Sequence, residues 1–256
     1  MSLKKYISAA LTLTEFELRK LRHDWTQVLL RSIQPALWLV VFGSVFGRIR
    51  EIPTGGIPYL QFMTPGILAQ SVMFVAIFYG ISLVWERDLG LLAKLLSTPA
   101  PRSAIVLGKA LSAGVRGIFQ AVTILILALI IRVNISLNPL KILGTFIVIT
   151  LFGMCFSSLS MCLVSVFRTR ERMMGIGQAL TMPLFFASNA IYPISLMPGW
   201  LKAVSIINPI SYVVDAMRAL LVTGDFARMP IDILAITLAT ALLVTIASLT
   251  FRKIIS

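Results

Sequence analysis

Long apolar runs, separated by short groups of charged and turn-forming residues, make up most of this chain. A helix that crosses a bilayer needs about 20 mostly apolar residues. We therefore expect six transmembrane helices, at about Thr26–Phe46, Tyr59–Val84, a third centred on Gly117–Ile131, Ile142–Phe167, Met174–Tyr192 and Ile233–Phe251. Pro35 is expected to kink the first of them.

The interval between Tyr192 and Pro230 is apolar but contains several prolines. Its pieces, Gly199–Ile207 and Ile210–Val222, are each too short to cross a hydrocarbon core of about 30 Å. We expect residues 193–229 to form short re-entrant helices that enter the outer leaflet and return, because broken backbone at membrane depth must be covered by protein. A simple interfacial loop is the alternative.

The first 25 residues contain both charged and apolar side chains, before any long apolar run begins. Leu11, Phe16 and Leu18 supply an apolar side, and the remaining surface is rich in Lys and Arg. This pattern predicts an amphipathic helix that lies in the membrane interface on the cytoplasmic side.

Composition agrees with a membrane protein, since 58% of the 256 residues are hydrophobic and only 13% are charged. We expect one all-α transmembrane permease domain, residues 1–256, with no separate soluble domain. The net charge of +13 does not indicate nucleic acid binding, because the basic residues stand at the ends of apolar runs. Cys155 and Cys162 would lie about 10 Å apart on one helix, too far for a disulfide.

Basic residues are distributed unequally between the two sides of the predicted membrane domain. Six spans place both termini on one side, which then holds Lys4, Lys5, Arg19, Lys20, Arg22, Arg31, Arg87, Lys94, Arg102, Lys109, Arg116, Arg168, Arg170, Arg172, Arg252 and Lys253. The opposite side holds Arg48, Arg50, Arg132, Lys141, Lys202, Arg218 and Arg228. The excess of Lys and Arg predicts that the side with the termini is cytoplasmic.

The chain lacks the usual sequence signatures of catalysis and of an internal energy source. It contains no G-x-x-x-x-G-K-[ST] phosphate loop, no H-E-x-x-H and no G-x-S-x-G sequence. Its acidic residues fall outside the apolar centres of the predicted spans, which argues against proton-driven transport and intramembrane aspartyl proteolysis. We expect a protein that is not an enzyme and that depends on a partner for energy.

The segment 85–101 is the one place at mid-chain where a dense charge group, Glu86-Arg87-Asp88, interrupts apolar sequence. We expect a short helix whose positive N-terminal end carries Glu86 and Asp88 and whose apolar face carries leucines 89, 92 and 96. Ser97-Thr98-Pro99 would end it. These residues alone fit a helix that docks on a partner and a helix that rests on lipid equally well.

Several sequence pieces in this order resemble a known family. They are Glu86-Arg87-Asp88-x-Gly90, Leu95-Leu96-x-Thr98-Pro99, Leu107-Gly108-Lys109, Tyr192-Pro193, Met197-Pro198-x-Trp200-Leu201, Asn208-Pro209, Tyr212 and Asp215-Ala216-Met217-Arg218. With the six-span plan they resemble type-2 ATP-binding-cassette exporter permeases, which export drugs, lipo-oligosaccharides or polysaccharides. The chain departs from that family at Ser188-Asn189-Ala190, where Ser-Gly is usual.

This resemblance implies partners and a division of labour. Two copies of the permease, a homodimer in the simplest case, would pair with two soluble ATPase subunits in the inner (plasma) membrane of a prokaryote. The partner would bind ATP and Mg²⁺, and this chain would bind no cofactor. The ATPase-coupling residues would be Glu86, Arg87, Asp88, Leu89, Gly90 and Leu92, with Glu15 and Arg19 of the N-terminal helix beside them.

The same resemblance implies a substrate pathway between the two permease copies, lined by the first, second and fifth spans. Residues that could face it are Gln61, Gln70, Tyr79, Met182, Phe185, Phe186 and Asn189. Ordinary packing between helices explains each of them as well. A mostly apolar pathway suits an amphiphilic drug-like, lipid or glycolipid molecule. The competing function is a passive channel or a membrane assembly factor without an ATPase partner.

Overall fold

The computed structural model describes residues 3–23, 25–46, 53–98, 100–167 and 169–251. The regular elements in these ranges are all helical. The α-helices are α1 (Leu3–His23), α2 (Trp25–Leu37), α3 (Gly43–Phe46), α4 (Tyr59–Asp88), α5 (Leu91–Leu96), α6 (Arg102–Ile130), α7 (Pro139–Val166), α8 (Arg170–Phe186), α9 (Gly199–Ile207), α10 (Pro209–Arg218) and α11 (Met229–Thr250). Short π-helical segments join α2 to α3 at Trp38–Phe42 and extend α10 at Ala219–Thr223.

Helix α4 lies at the centre of the bundle. It packs against α6 and α7 most extensively, and also against α2, α8 and α10. Before its charged last turn, α4 carries mostly apolar residues on every side, as expected of a helix that is enclosed by others. Met63, Ile67 and Leu68 have no exposed surface.

Small residues allow α6 and α7 to approach each other closely. A Cβ atom on Gly153 would lie only 2.8 Å from the Cα atom of Gly114, and one on Gly114 would lie 2.6 Å from the carbonyl oxygen of Thr150. Glycine is the residue that permits such backbone contact between membrane helices. The α6–α7 pair is therefore part of the rigid framework around α4.

The described residues contain five helices that are long and apolar enough to cross a membrane, or six if one bent pair counts as a single span. The five are Leu29–Phe46, α4, α6, α7 and α11. They correspond to the first, second, third, fourth and sixth predicted spans. The all-helical membrane architecture predicted from the hydropathy pattern is thus confirmed at this level.

The predicted fifth span is longer than the helix that forms there. Helix α8 has 17 residues and ends at Phe186, so the prediction that it reaches Tyr192 is wrong. After Phe186 the chain turns, and the side chain of Asn208 donates hydrogen bonds to the carbonyl oxygens of Leu184 and Ala187 at 2.6 and 3.2 Å. These bonds satisfy the carbonyl groups at the end of α8.

The bent pair is the segment that was expected to form two short helices. Helix α9 and the stretch Pro209–Thr223 meet at an angle of 79°. Asn208 at the bend accepts a hydrogen bond from the backbone N–H of Ile210 at 3.0 Å, and Pro209 follows it in the first helical position. This is a strong start signal for a new helix, and it explains why the two pieces do not continue as one.

Some predicted features lie outside the described residues. They are Arg48, Arg50, Arg168, Arg252 and Lys253 of the charge pattern, and Pro99 at the end of the charged segment.

Candidate functional site

Helix α4 continues through the charged triplet and ends at Asp88. Gly90 follows with a φ of +71°, a left-handed conformation that glycine adopts readily, and the six-residue helix α5 begins after it. The prediction that Glu86 and Asp88 start the docking helix is therefore wrong. They lie in the last turn of α4, where the helix dipole is negative and favours cations.

Glu86 is turned toward the interior of the protein. Only 8% of its surface is exposed. Its Oε2 atom lies 2.6 Å from Nζ of Lys109 on α6, and its Oε1 atom lies 3.6 Å from Nζ of Lys20 on α1. Lys109 is only 1% exposed, and a charge buried to this extent is stabilised by a close partner of opposite charge.

Glu17 on α1 supplies a second carboxylate. Its Oε1 atom lies 3.0 Å from Nζ of Lys109 and 3.2 Å from Nζ of Lys20. Burial alone would raise the pKa of Glu17, but the charges and hydrogen bonds of Lys109 and Lys20 outweigh burial and lower the pKa. We refer to Glu17, Lys20, Glu86 and Lys109 as the ion cluster. With all four groups ionised, its two negative and two positive charges balance.

Further contacts fasten α1 to α6 beside the ion cluster. Arg116 donates a hydrogen bond to the backbone oxygen of Glu17 at 2.8 Å, and its guanidinium carbon lies 4.6 Å from the ring centre of Tyr79. The Thr14 hydroxyl donates to the carbonyl oxygen of Gly108 at 3.1 Å. Three helices, α1, α4 and α6, are therefore tied together at this end of the bundle.

Glu17, Lys20 and Lys109 were missing from the predicted coupling residues. A signal for Glu17 exists in the sequence, because Ala10, Leu13, Thr14 and Glu17 follow the i, i+3, i+4, i+7 spacing of one helix face. All four are buried. A carboxylate on a buried stripe requires a cation from another element, but the pattern does not indicate which one.

The other predicted coupling residues occupy different environments. Leu89 follows α4 and is 71% exposed, whereas Leu92 is 1% exposed, so the two do not form one apolar face as predicted. Gly90 is exposed. Arg87 and Asp88 pair with each other at 3.1 Å. Exposed Glu15 and Arg19 form an i, i+4 pair at 2.7 Å on α1.

A cavity of about 720 Å³ lies between α1, the α5 region and α6. Leu13 and Phe16 line it from α1, Leu95 and Thr98 from the α5 region, and Ile105 from α6. Its lining is largely apolar. The cavity places α5 and the adjoining part of α1 around one concave surface, immediately beside the ion cluster.

The seven predicted pathway residues lie in dissimilar surroundings. Gln70 and Phe185 are fully buried, Asn189 is 3% exposed and Phe186 is 42% exposed, while Gln61 and Met182 are half-buried. Tyr79 lies against Arg116 beside the ion cluster. Phe185 packs edge-on against Trp38 of the first span, with ring centres 6.2 Å apart.

A second buried polar group surrounds Arg218 on α10. Its guanidinium group lies 3.0 Å from the Asp215 carboxylate and donates to the carbonyl oxygen of Asn189 at 2.8 Å. The Asn189 amide donates to Asp215 at 2.6 Å, and the guanidinium carbon lies 4.0 Å from the ring centre of Phe62. We refer to Asn189, Asp215 and Arg218 as the Arg218 cluster; it gives Asn189 a structural role.

Comparison with known protein families identifies a family whose model covers most of the chain. The family model described as ABC-2 type transporter matches residues 8–222. This range includes the ion cluster, α5 and the Arg218 cluster.

The chain shares between 25% and 29% sequence identity with three individual relatives. The chain is 29% identical over 194 residues to a putative transport permease, ycf38, of Cyanophora paradoxa, covering 73% of this chain and 65% of that protein, which is less than two thirds of its length. It is 27% identical over 215 residues to the daunorubicin resistance ABC transporter permease protein DrrB1 of Streptomyces coeruleorubidus, covering 84% and 75%. It is 25% identical over 213 residues to the inner membrane transport permease YadH of Escherichia coli K12, covering 79% and 78%.

Proposed function

This chain belongs to the ABC-2 type transporter family, and we propose that it is the membrane subunit of an ATP-driven exporter. In this proposal two permease copies, identical in the simplest case, form the substrate pathway. Two separate ATPase subunits bind ATP and Mg²⁺ and supply the energy. Permeases of ABC transporters work with ATPase partners in general, and the named relatives are transport permeases.

The ion cluster is the observation that carries this proposal. It joins α1, the end of α4 and α6 because buried Lys109 pairs with Glu86 at 2.6 Å and with Glu17 at 3.0 Å. Breaking a buried ion pair by removing one partner costs about 3–5 kcal/mol. A force applied to α1 or α5 would therefore move the ends of α4 and α6 with them, rather than deform the local structure.

The surface that receives the ATPase would consist of α5, the exposed Leu89 and Leu91, and the adjoining face of α1. Leu89 and Leu91 are 71% and 41% exposed, and exposed leucines beside a concave surface are typical of a docking site. Glu86 would contribute from inside, by fixing α4 to α1 and α6. Arg87, Asp88, Gly90, Glu15 and Arg19 remain coupling residues in this proposal.

Orientation follows from the same assignment. The end of the bundle that carries the ion cluster and α5 would face the cytoplasm, together with both termini. The excess of Lys and Arg on that side supports this orientation. The α9–α10 pair would lie at the opposite face, and the protein would reside in the inner (plasma) membrane of a prokaryote.

The test is co-purification of the tagged permease with its ATPase, compared between wild type and the double variant L89S/L91S. We expect the variant to insert and fold normally but to retain at least tenfold less ATPase, because the apolar docking contacts are lost. The matched control is L137S, in the loop between α6 and α7, where Leu137 is 61% exposed. A passive channel or assembly factor would purify alone even as wild type, which would refute the exporter assignment.

A further inference from the structure

A second cavity, of about 270 Å³, lies between α2, α4 and α8. Its lining differs in character from that of the apolar cavity beside α5. It consists of Leu30, Arg31 and Gln34 from α2, Phe74 and Phe78 from α4, and Gln178 from α8. One cation, two amides and two aromatic rings therefore face a single small space.

Arg31 is the charged group of this cavity. It is exposed on α2, and its guanidinium carbon lies 5.1 Å from the ring centre of Phe78. No acidic residue is among the described residues that line the cavity. A guanidinium group with no carboxylate beside it in the cavity favours an anionic ligand.

The uncharged residues add a polar and an apolar part to the same space. Gln34 lies one turn after Arg31 on α2, and Gln178 faces it from α8. Each amide carries two N–H donors that can bind the oxygen atoms of an anionic group. Phe74 and Phe78 are one turn apart on α4 and form an apolar wall beside these donors.

We propose that this cavity binds the charged headgroup of an anionic amphiphile, with Arg31 and the two glutamines on the headgroup and the phenylalanines against the apolar body. A cavity of 270 Å³ is smaller than the roughly 300–1,000 Å³ of drug-sized sites, so it holds the headgroup and the first part of the body. The ligand is a resident anionic lipid or the exported molecule; the second case rests on the proposed function, whereas binding itself does not.

The experiment measures binding of two fluorescent probes of equal length, pyrene decanoate and a pyrene decyl trimethylammonium salt. The permease is held in nanodiscs of zwitterionic phosphatidylcholine, and the signal of empty discs is subtracted. We expect the anionic probe to bind at least tenfold more tightly than the cationic probe. A tenfold ratio corresponds to about 1.4 kcal/mol, which one hydrogen bond to a charged group can supply.

Three variants assign the binding to the cavity. R31Q should lower the affinity for the anionic probe about tenfold, and R31K should retain most of it because the positive charge remains. R132Q removes a positive charge from an exposed residue beyond α6 and should leave the affinity unchanged. Equal affinity of wild type for the two probes, or unchanged affinity in R31Q, would overturn the proposal.

A second disc composition distinguishes the two sources of ligand. If a resident anionic lipid occupies the site, phosphatidylglycerol discs should weaken probe binding to wild type but not to R31Q. If the site belongs to the exported molecule, probe binding should be the same in both discs. Both results require binding that depends on Arg31. Neither measurement involves ATP or the ATPase. A negative binding result would therefore refute the proposed anion site without refuting the exporter assignment, which the co-purification experiment tests.

Discussion

Two buried polar clusters hold α4 in place, and they do so by different means. The ion cluster joins side chains from α1, α4 and α6 through charge pairs. One of these pairs, Glu17 with Lys109, connects residues that are 92 positions apart in the sequence. In the Arg218 cluster the ion pair lies within one helix, between Asp215 and Arg218. Its links to other elements are hydrogen bonds: Arg218 donates to the backbone carbonyl oxygens of Phe62 and Asn189, and the Asn189 amide donates to Asp215.

The helices around the two clusters are therefore held in position by different interactions. At the ion cluster, helix positions depend on the balance of four side-chain charges. Around the Arg218 cluster, they depend on how closely backbones approach, because a Cβ atom on Gly66 of α4 would overlap the backbone oxygen of Ala190. Charge changes should therefore damage the first region more, and added volume should damage the second.

The largest effect is expected for K109M. This change removes the buried cation between Glu17 and Glu86 and leaves only the part-exposed Lys20 beside them, so it should cost about 3–5 kcal/mol of stability. Thermal unfolding in detergent, followed by tryptophan fluorescence, measures it. K94M, at an exposed position on α5, is the matched control. Adding E86Q to K109M should recover part of the loss, and equal stability of K109M and K94M would contradict the assigned role of the cluster.

The second largest effect is expected for G66A. A methyl group there has no room against Ala190, and overpacking of this kind costs about 1–3 kcal/mol. G175A is the control, because no atom lies within 4 Å of a Cβ at that position in α8. It should be neutral or stabilising by up to about 1 kcal/mol. The same unfolding assay distinguishes them, and similar melting temperatures for both variants would refute the close approach.

A smaller and gradual effect is expected on acidification. The folded pKa of Glu17 lies below its ordinary value of 4.5, so the ionised carboxylate stabilises the fold above the unfolded pKa. That stability is lost as pH falls through the folded pKa. The melting temperature of wild type should fall more steeply below about pH 5 than that of E17Q. Identical slopes for the two proteins would argue against a functioning ion pair.

The smallest effect is expected for E15Q. Glu15 and Arg19 form a pair on the same helix as Glu17, but their side chains are 65% and 78% exposed. Exposed i, i+4 pairs contribute no more than about 0.5 kcal/mol. Unfolding of E15Q should match wild type within that range, and its pH dependence should also be unchanged. A loss comparable to that of K109M would remove the distinction between exposed and buried pairs on α1.

The hydropathy pattern predicted much of the fold because span length and apolar composition are local properties. The helices corresponding to α4, α7 and α11 were placed within a few residues of their ends. The bend at Asn208 could also be predicted, since proline directly after a capping residue is a local signal for the start of a helix. The end of α8 could not be predicted in this way, because Asn208 and the turn at Ala187 become neighbours only in the folded chain.

The candidate site was predicted less completely. The motif Glu86-Arg87-Asp88 was identified, but as the exposed start of a docking helix rather than the end of α4. An acidic group suits a helix N-terminus by its dipole, and no local pattern revealed that Gly90 would begin a new helix at that point. The cavity between α2, α4 and α8 that contains Arg31 was not predicted, since its residues come from three separate helices.

The sequence by itself determined that this chain is a helical membrane protein of the ABC-2 type transporter family, with no phosphate loop of its own. Those properties depend on composition, on runs of apolar residues and on ordered motifs. Only the tertiary structure decided that Glu86 lies inside, paired with Lys109 and close to Glu17 of α1. Burial of a charge is a property of the assembled helices, because the cation that offsets it comes from elsewhere in the chain.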